Sequence, residues 1–272
     1  MSNTTYAVKN PIVDFWRNNL SPDQKLYYHS ADAEALKTDL AHTTSNDHDP
    51  ILQYLENKKD LKNEAQPAFD LSILPSPYNG DLAQAKIFIL MLNPGLSLTD
   101  YYIAPNEKFK KESLAIINQD GMNQAFPFSC LNPEYYYWAG FQYWHSKLAP
   151  LIQKIYQENS FPSYEEALSF VAKNIATVQY VAYHSRHFGS RQDRLSENLK
   201  SNKTELQDYV QELVKRAKAK EIILLVGRSI QRWQALADKK EEGYIYINKP
   251  SRGFHLSAEH VNRISEFLQQ RS

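Results

Sequence analysis

Asn93 is the side chain in this sequence with the clearest setting for chemistry. It follows the apolar run Ile87-Phe88-Ile89-Leu90-Met91-Leu92 and opens Asn93-Pro94-Gly95-Leu96-Ser97. A short apolar run bounded by Lys86 and a turn reads as a buried parallel strand. Proline fixes its own φ and keeps the preceding residue extended, while Gly95 permits a turn and a close approach to a ligand. The expected result is a carboxamide held at the carboxyl end of a central strand, where ligands bind in open α/β sheets. A plain strand followed by a turn produces the same letters.

The second chemical signal is charge. The net charge is zero, yet residues 1–178 carry 14 Lys and Arg against 20 Asp and Glu, and residues 179–272 carry 17 against 11. The basic residues gather in Arg186, His187, Arg191 and Arg194, then Arg228 and Arg232, then Lys249, Arg252 and His255. Each cluster follows an expected strand, so all three can converge on one face suited to a polyanion, although part of any charge run is solvated surface.

The elements that must position these groups alternate. The first 65 residues read as polar helices with apolar stripes over Pro11–Asn19, Ser30–Leu40 and around Ile51 to Leu55, a cap packed on the main domain. Residues 66–81 form a loop into the first strand, and a long irregular segment runs from the Asn93 turn to about Pro133. A Tyr- and Trp-rich helix is expected from near Glu134, and another over Ser163–Lys173 with Ser163 as its cap. Strands follow at Thr177–Tyr183, Glu221–Val226 and Tyr244–Ile247, with helices at Lys203–Lys218, Ser229–Ala237 and Ser257–Gln270. This alternation predicts an α/β fold with right-handed crossovers and a parallel sheet covered on both faces. Its strand ends deliver Asn93, His184, Arg228 and Lys249 to one edge.

These residues resemble a family. Asn93-Pro94-Gly95-Leu96-Ser97 after an apolar strand is similar to the first motif of the uracil-DNA glycosylase superfamily, nearest to Gly-x-Asn-Pro-Gly-Leu of the mismatch-specific uracil/thymine branch. Phe126-Pro127-Phe128 resembles the Phe-Pro-Phe before that branch's aromatic helix, and Ile223 to Arg228 resembles its strand-Gly-Arg step. Lys249-Pro250-Ser251 with Leu256-Ser257 resembles the second motif, His-Pro-Ser or Asn-Pro-Ser followed by Leu-Ser. The likeness spans roughly residues 75–270. It departs where Met91 replaces the leading Gly, where Lys249 replaces His or Asn, and where Tyr183 or His184 stands for the strand-end Asn that reads the base. The cysteines of the iron–sulfur branches are absent. The chain is also compatible with superfamily members that excise glucosylated hydroxymethylcytosine in defence against phage.

The resemblance implies a three-layer α/β/α sandwich on a four-stranded parallel sheet, in a catalytic domain over 66–272; the helical extension over 1–65 has no counterpart in it. It implies a DNA glycosylase that flips out a modified or mismatched base and removes it by hydrolysis, in repair or defence. Asn93 would position the water, in a dissociative reaction stabilised by electrostatics, with a backbone amide near Leu96 donating to the base. Phe126 or Phe128 would stack on the base or pack the loop. His184 and Tyr183 are candidate base readers, each with a structural alternative, and His184 could also donate to the leaving group. Lys249 would stabilise the departing base, contact phosphate, or, as the least favoured route, attack the sugar as a Schiff-base nucleophile. Arg186, Arg191, Arg228 and His255 would contact DNA, Ser251 and Arg252 with Gly253 would hold a phosphate, and Phe254 would wedge into the stack.

Two alternatives share this sequence pattern: a DNA-binding module of the same fold without catalysis, and a hydrolase of free nucleotides or nucleosides. The lone Cys130 excludes an internal disulfide, and the histidines lack paired metal spacing, so neither metal nor cofactor is expected. No leader pattern opens the sequence and no apolar run approaches the ~20 residues that span a bilayer, which predicts a soluble cytoplasmic protein; the resemblance implies a monomer with DNA as its partner.

Overall fold

Strand β2 (Ile87–Met91) is buried at every position, as its uninterrupted apolar run demands. In the computed structural model, residues 10–21, 26–43, 49–56, 67–158, 161–236, 241–248 and 253–270 are described. The sheet has five strands in the order β1-β3-β2-β4-β5, formed by β1 (Tyr78–Asn79), β3 (Ile175–Gln179), β4 (Ile223–Val226) and β5 (Ile245–Ile247) around β2. Four are parallel, and β1 pairs antiparallel with β3 through Tyr78↔Val178. The chain runs from β2 out to β3 and then crosses back to β4. This reversal places the topological switch between β2 and β4, where a crevice opens at the strand ends. The fifth strand comes from the segment expected to be a loop.

Alternation of side chains across the sheet divides the core. Phe88, Leu90, Val178, Leu224 and Val226 face α1 (Pro11–Trp16) and α9 (Thr204–Lys218), where Val13, Trp16, Val210 and Leu213 complete that cluster. Ile87, Ile89, Ile175, Ile223 and Leu225 face the other way, onto α6 (Ala139–Glu158), α7 (Tyr164–Asn174) and α10 (Ala258–Gln269). Full burial of each such aliphatic side chain contributes about 1.5–3 kcal/mol. The N-terminal helices therefore share the sheet's own core. Asp32 anchors them: fully buried, it accepts hydrogen bonds from the Tyr183 hydroxyl at 2.6 Å and from the amides of Lys200 and Ser201 at 2.6 and 3.1 Å.

The segment expected to be irregular holds two helices. Ser97 and Asp100 form a capping box at α4 (Leu98–Ile103), and Asn106 caps α5 (Glu107–Asn118) by accepting from Phe109 N. Short helices α2 (Lys37–Thr43) and α3 (Pro50–Glu56) lie in the N-terminal part, and α8 (Ser190–Ser196) follows β3. The helix expected over Ser229–Ala237 shrinks to a single turn at Ile230–Arg232, entered through Ser229 at positive φ. Among the described residues, no helix is long and apolar enough to cross a membrane.

Candidate active site

At the switch point the strand ends enclose a cavity of about 460 Å³. Asn93 lines it, and its Nδ2 donates to Ser185 Oγ and to Pro94 O, both at 2.8 Å. Those two bonds fix the carboxamide plane and leave Oδ1 without a partner among the described residues. Gly95 does not take a positive φ, so the turn itself does not require glycine. A Cβ there would meet nothing within 4 Å, which leaves the space beside the loop open.

The loop carrying Asn93 is tied down from two sides. Asp100 accepts from Ser97 N, from Ser97 Oγ and from Trp138 Nε1, at 2.6, 2.7 and 2.7 Å. His184 sits between backbone carbonyls, Nδ1 at 2.8 Å from Gly95 O and Nε2 at 3.1 Å from Leu74 O. Both ring nitrogens face backbone carbonyls, to which only a ring N–H can donate, so the contacts brace the loop and turn neither nitrogen toward a base edge. Asp100 is the single carboxylate among the described residues lining the cavity, and its oxygens are already committed. The other charged or titratable groups on its wall include Arg186, His187 and Arg228. A cavity of this make-up favours an anionic ligand and offers no free carboxylate to take a proton.

Several expected site residues lie elsewhere. Tyr183 is in the core: its hydroxyl binds Asp32, and burial beside that carboxylate pushes its pKa well above the usual phenol range. Phe128 is fully buried against Trp144, with ring centroids 5.5 Å apart, and Phe126 packs on the same cluster. Phe254, also fully buried, leans on Trp144 at 5.7 Å and cannot serve as a surface wedge. Arg191 turns inward to the buried Asp39 at 3.5 Å, and Arg232 is spent on Asp193 and the rings of Tyr180 and Phe188. Arg186 remains at the cavity, stacked 4.3 Å over Tyr54 and donating to Tyr54 O. Arg228 is exposed at the rim and His255 is exposed outside the lining set. Lys249, Ser251 and Arg252 lie outside the described residues.

In their place the cavity gathers residues that no motif marked. Trp138, Tyr143, Trp144 and Phe188 supply its aromatic walls, beside Leu96 of the first motif. The Tyr143 oxygen accepts from Phe254 N at 3.2 Å. Burial raises its pKa against the opposing pull of that amide and of Arg228, so the phenol keeps a proton to donate. Gln179, at the carboxyl end of β3, is buried in the wall with its Oε1 unpartnered. Of the buried polar atoms without a partner among the described residues, Gln179 Oε1 is the one on the cavity wall, where a ligand or a water can donate to it. A second cavity of about 260 Å³ adjoins the first, sharing Ser76, Asn79, Asp100, Trp138 and His184 as walls. Met91 packs against Gly227: a Cβ at residue 227 would stand 2.6 Å from Met91 Sδ. Cys130 is buried in the cavity wall, where burial raises its thiol pKa, so it offers no ready thiolate. No group of three metal-ligating side chains occurs among the described residues.

Comparison of the chain with known protein families, with curated proteins and with solved structures found no match.

Proposed function

We propose that this protein is a DNA glycosylase of the uracil-DNA glycosylase superfamily, acting on a flipped, modified base. The observation that carries the reading is Asn93: a carboxamide fixed by Ser185 at a parallel-strand end, its Oδ1 open, in a cavity whose one carboxylate is already bound. Such a site can orient a water through Oδ1 but cannot deprotonate it strongly. That suits departure of an anionic base ahead of water attack, with Arg228, Arg186 and the Tyr143 hydroxyl offsetting the charge that develops. Gln179 supplies a carboxamide to read a base edge, and Trp138 or Tyr143 a surface for stacking. The cavity falls in the ~300–1,000 Å³ range of sites for drug-sized ligands. That is more room than a bare pyrimidine fills, and the adjoining cavity adds to it. Space of this size favours a modified base over a plain mismatch.

The test is incubation with duplexes and single strands carrying uracil, a thymine mismatch or glycosylated hydroxymethylcytosine, followed by abasic-site detection. Abasic sites in the modified DNA are the expected result, and Asn93→Ala should lower the single-turnover rate about 100-fold or more. Binding without abasic sites in any DNA would leave a non-catalytic module, and base release from free nucleosides a nucleoside hydrolase. Wild-type rates in Asn93→Ala would remove the assigned mechanism.

A further inference from the structure

Large apolar side chains exposed to solvent are unevenly placed on this protein. Among the described residues they are Leu52, Leu55, Tyr102, Tyr136 and Tyr137, and all lie on three neighbouring pieces of chain: α3, α4 and the turn entering α6. Helix α3 packs on α4, and Ala139 N donates to Thr99 Oγ1 at 2.9 Å, which joins α4 to the turn. Thr99 and Tyr102 are three residues apart and share a helix face, so Tyr102 lies on the side that meets the turn. Tyr136 is 68% exposed and Tyr102 61%. Clustered exposure of this kind marks an interaction surface.

The surface is continuous with the candidate active site. Tyr137 is followed directly by Trp138, Ala139 and Gly140, all on the cavity wall. Cations stand near it, and one of them, Lys108 on α5, is paired with Glu134 two residues before Tyr136. Arg186 stands at the cavity, bound to Tyr54 of α3, and Lys111 is exposed on α5, whose Phe109 packs 5.1 Å from Trp138. Exposed aromatic rings with cations nearby match a single nucleic-acid strand, whose bases stack while its phosphates pair with the charges. A duplex hides its base faces and cannot use the rings in this way.

We propose that Tyr102, Tyr136 and Tyr137 form a stacking platform for unpaired bases beside the flipped nucleotide, giving the protein a preference for single-stranded or locally opened DNA. The proposal rests on the reading of the cavity as a base-excision site, yet it can be tested apart from it. Fluorescence anisotropy with a labelled oligothymidine of roughly 12 nucleotides, within common single-strand site sizes, is compared with a duplex of equal length at one salt concentration. The wild-type protein should bind the single strand more tightly. Tyr136→Ala/Tyr137→Ala should weaken that binding roughly tenfold or more, the loss of at least one base–aromatic stack, with duplex binding within about twofold. Tyr136→Phe/Tyr137→Phe should restore it, since stacking needs the ring and not the hydroxyl.

Unchanged single-strand affinity in the alanine variant, or an equal loss for both DNAs, overturns the platform. Self-association that the same substitutions abolish, without single-strand binding, assigns the surface to a second copy of the chain and also overturns it. A platform that responds as expected in a protein producing no abasic sites stands while the excision reading falls. Abasic sites with Tyr-independent binding give the reverse.

Discussion

A carboxamide is a weak catalytic group unless something fixes its plane, and Ser185 does this for Asn93. On the proposed excision reading, Ser185→Ala should leave KM near wild type and reduce kcat roughly three- to tenfold, the worth of one hydrogen bond. A kcat equal to wild type would mean that Pro94 O alone orients the amide. Asn93 was legible in the sequence because an apolar strand and a proline constrain it locally. Ser185, Tyr143 and Gln179 were not, since each becomes chemical only through neighbours from distant elements. Gln179 sits opposite Met91 in the sheet register, and that pairing is invisible until the strands are aligned. Tyr183 and Phe254 were misplaced for the same reason. A large aromatic near a motif reads equally as ligand contact or as core, and here burial decides for core.

At the scale of elements, β2 and β4 fit each other through one reciprocal exchange of volume. Gly227 leaves room for Met91 Sδ, with the Leu90 carbonyl 3.0 Å and the Phe254 ring 3.3 Å from where a Cβ would stand. Gly227→Ala should cost about 1–3 kcal/mol by overpacking. The cost should be smaller in a Met91→Gly background, which restores the glycine of the resembled motif and vacates the space. A double-mutant cycle by thermal or urea unfolding measures the coupling, and strict additivity would mean the two residues do not share that volume. The strands were readable from apolar runs alone, whereas α4 and α5 were not. Their caps, Ser97 with Asp100 and Asn106, stand in the sequence, but the proline-glycine turn just before them is equally the signature of a loop. The basic clusters were legible as charge and misleading as a patch. Arg191 and Arg232 have carboxylate partners from other elements, and the cavity keeps Arg186, His187 and Arg228.

For the molecule as a whole, the N-terminal helices complete one face of the sheet instead of decorating it. A chain beginning at Pro67 would leave the partners of Trp16 and Val13 on α9 uncovered and take Asp32 from Tyr183. Such a fragment should lose its near-ultraviolet circular dichroism and bind hydrophobic dyes. A soluble fragment with an unchanged, cooperative melt would show the helices to be a separable appendage. The Asp32 anchor also sets a timetable. Its partners lie 151 to 169 residues further along the chain, so this closure has to wait on the ribosome for most of the protein to emerge. Until then Trp16 and its neighbours have no sheet to cover. Long-range closure of that kind slows folding. Since the closing segment, 183–201, also carries Ser185 and Arg186, the newborn protein completes its cavity only when the stretch around residue 32 has met the stretch around residue 200.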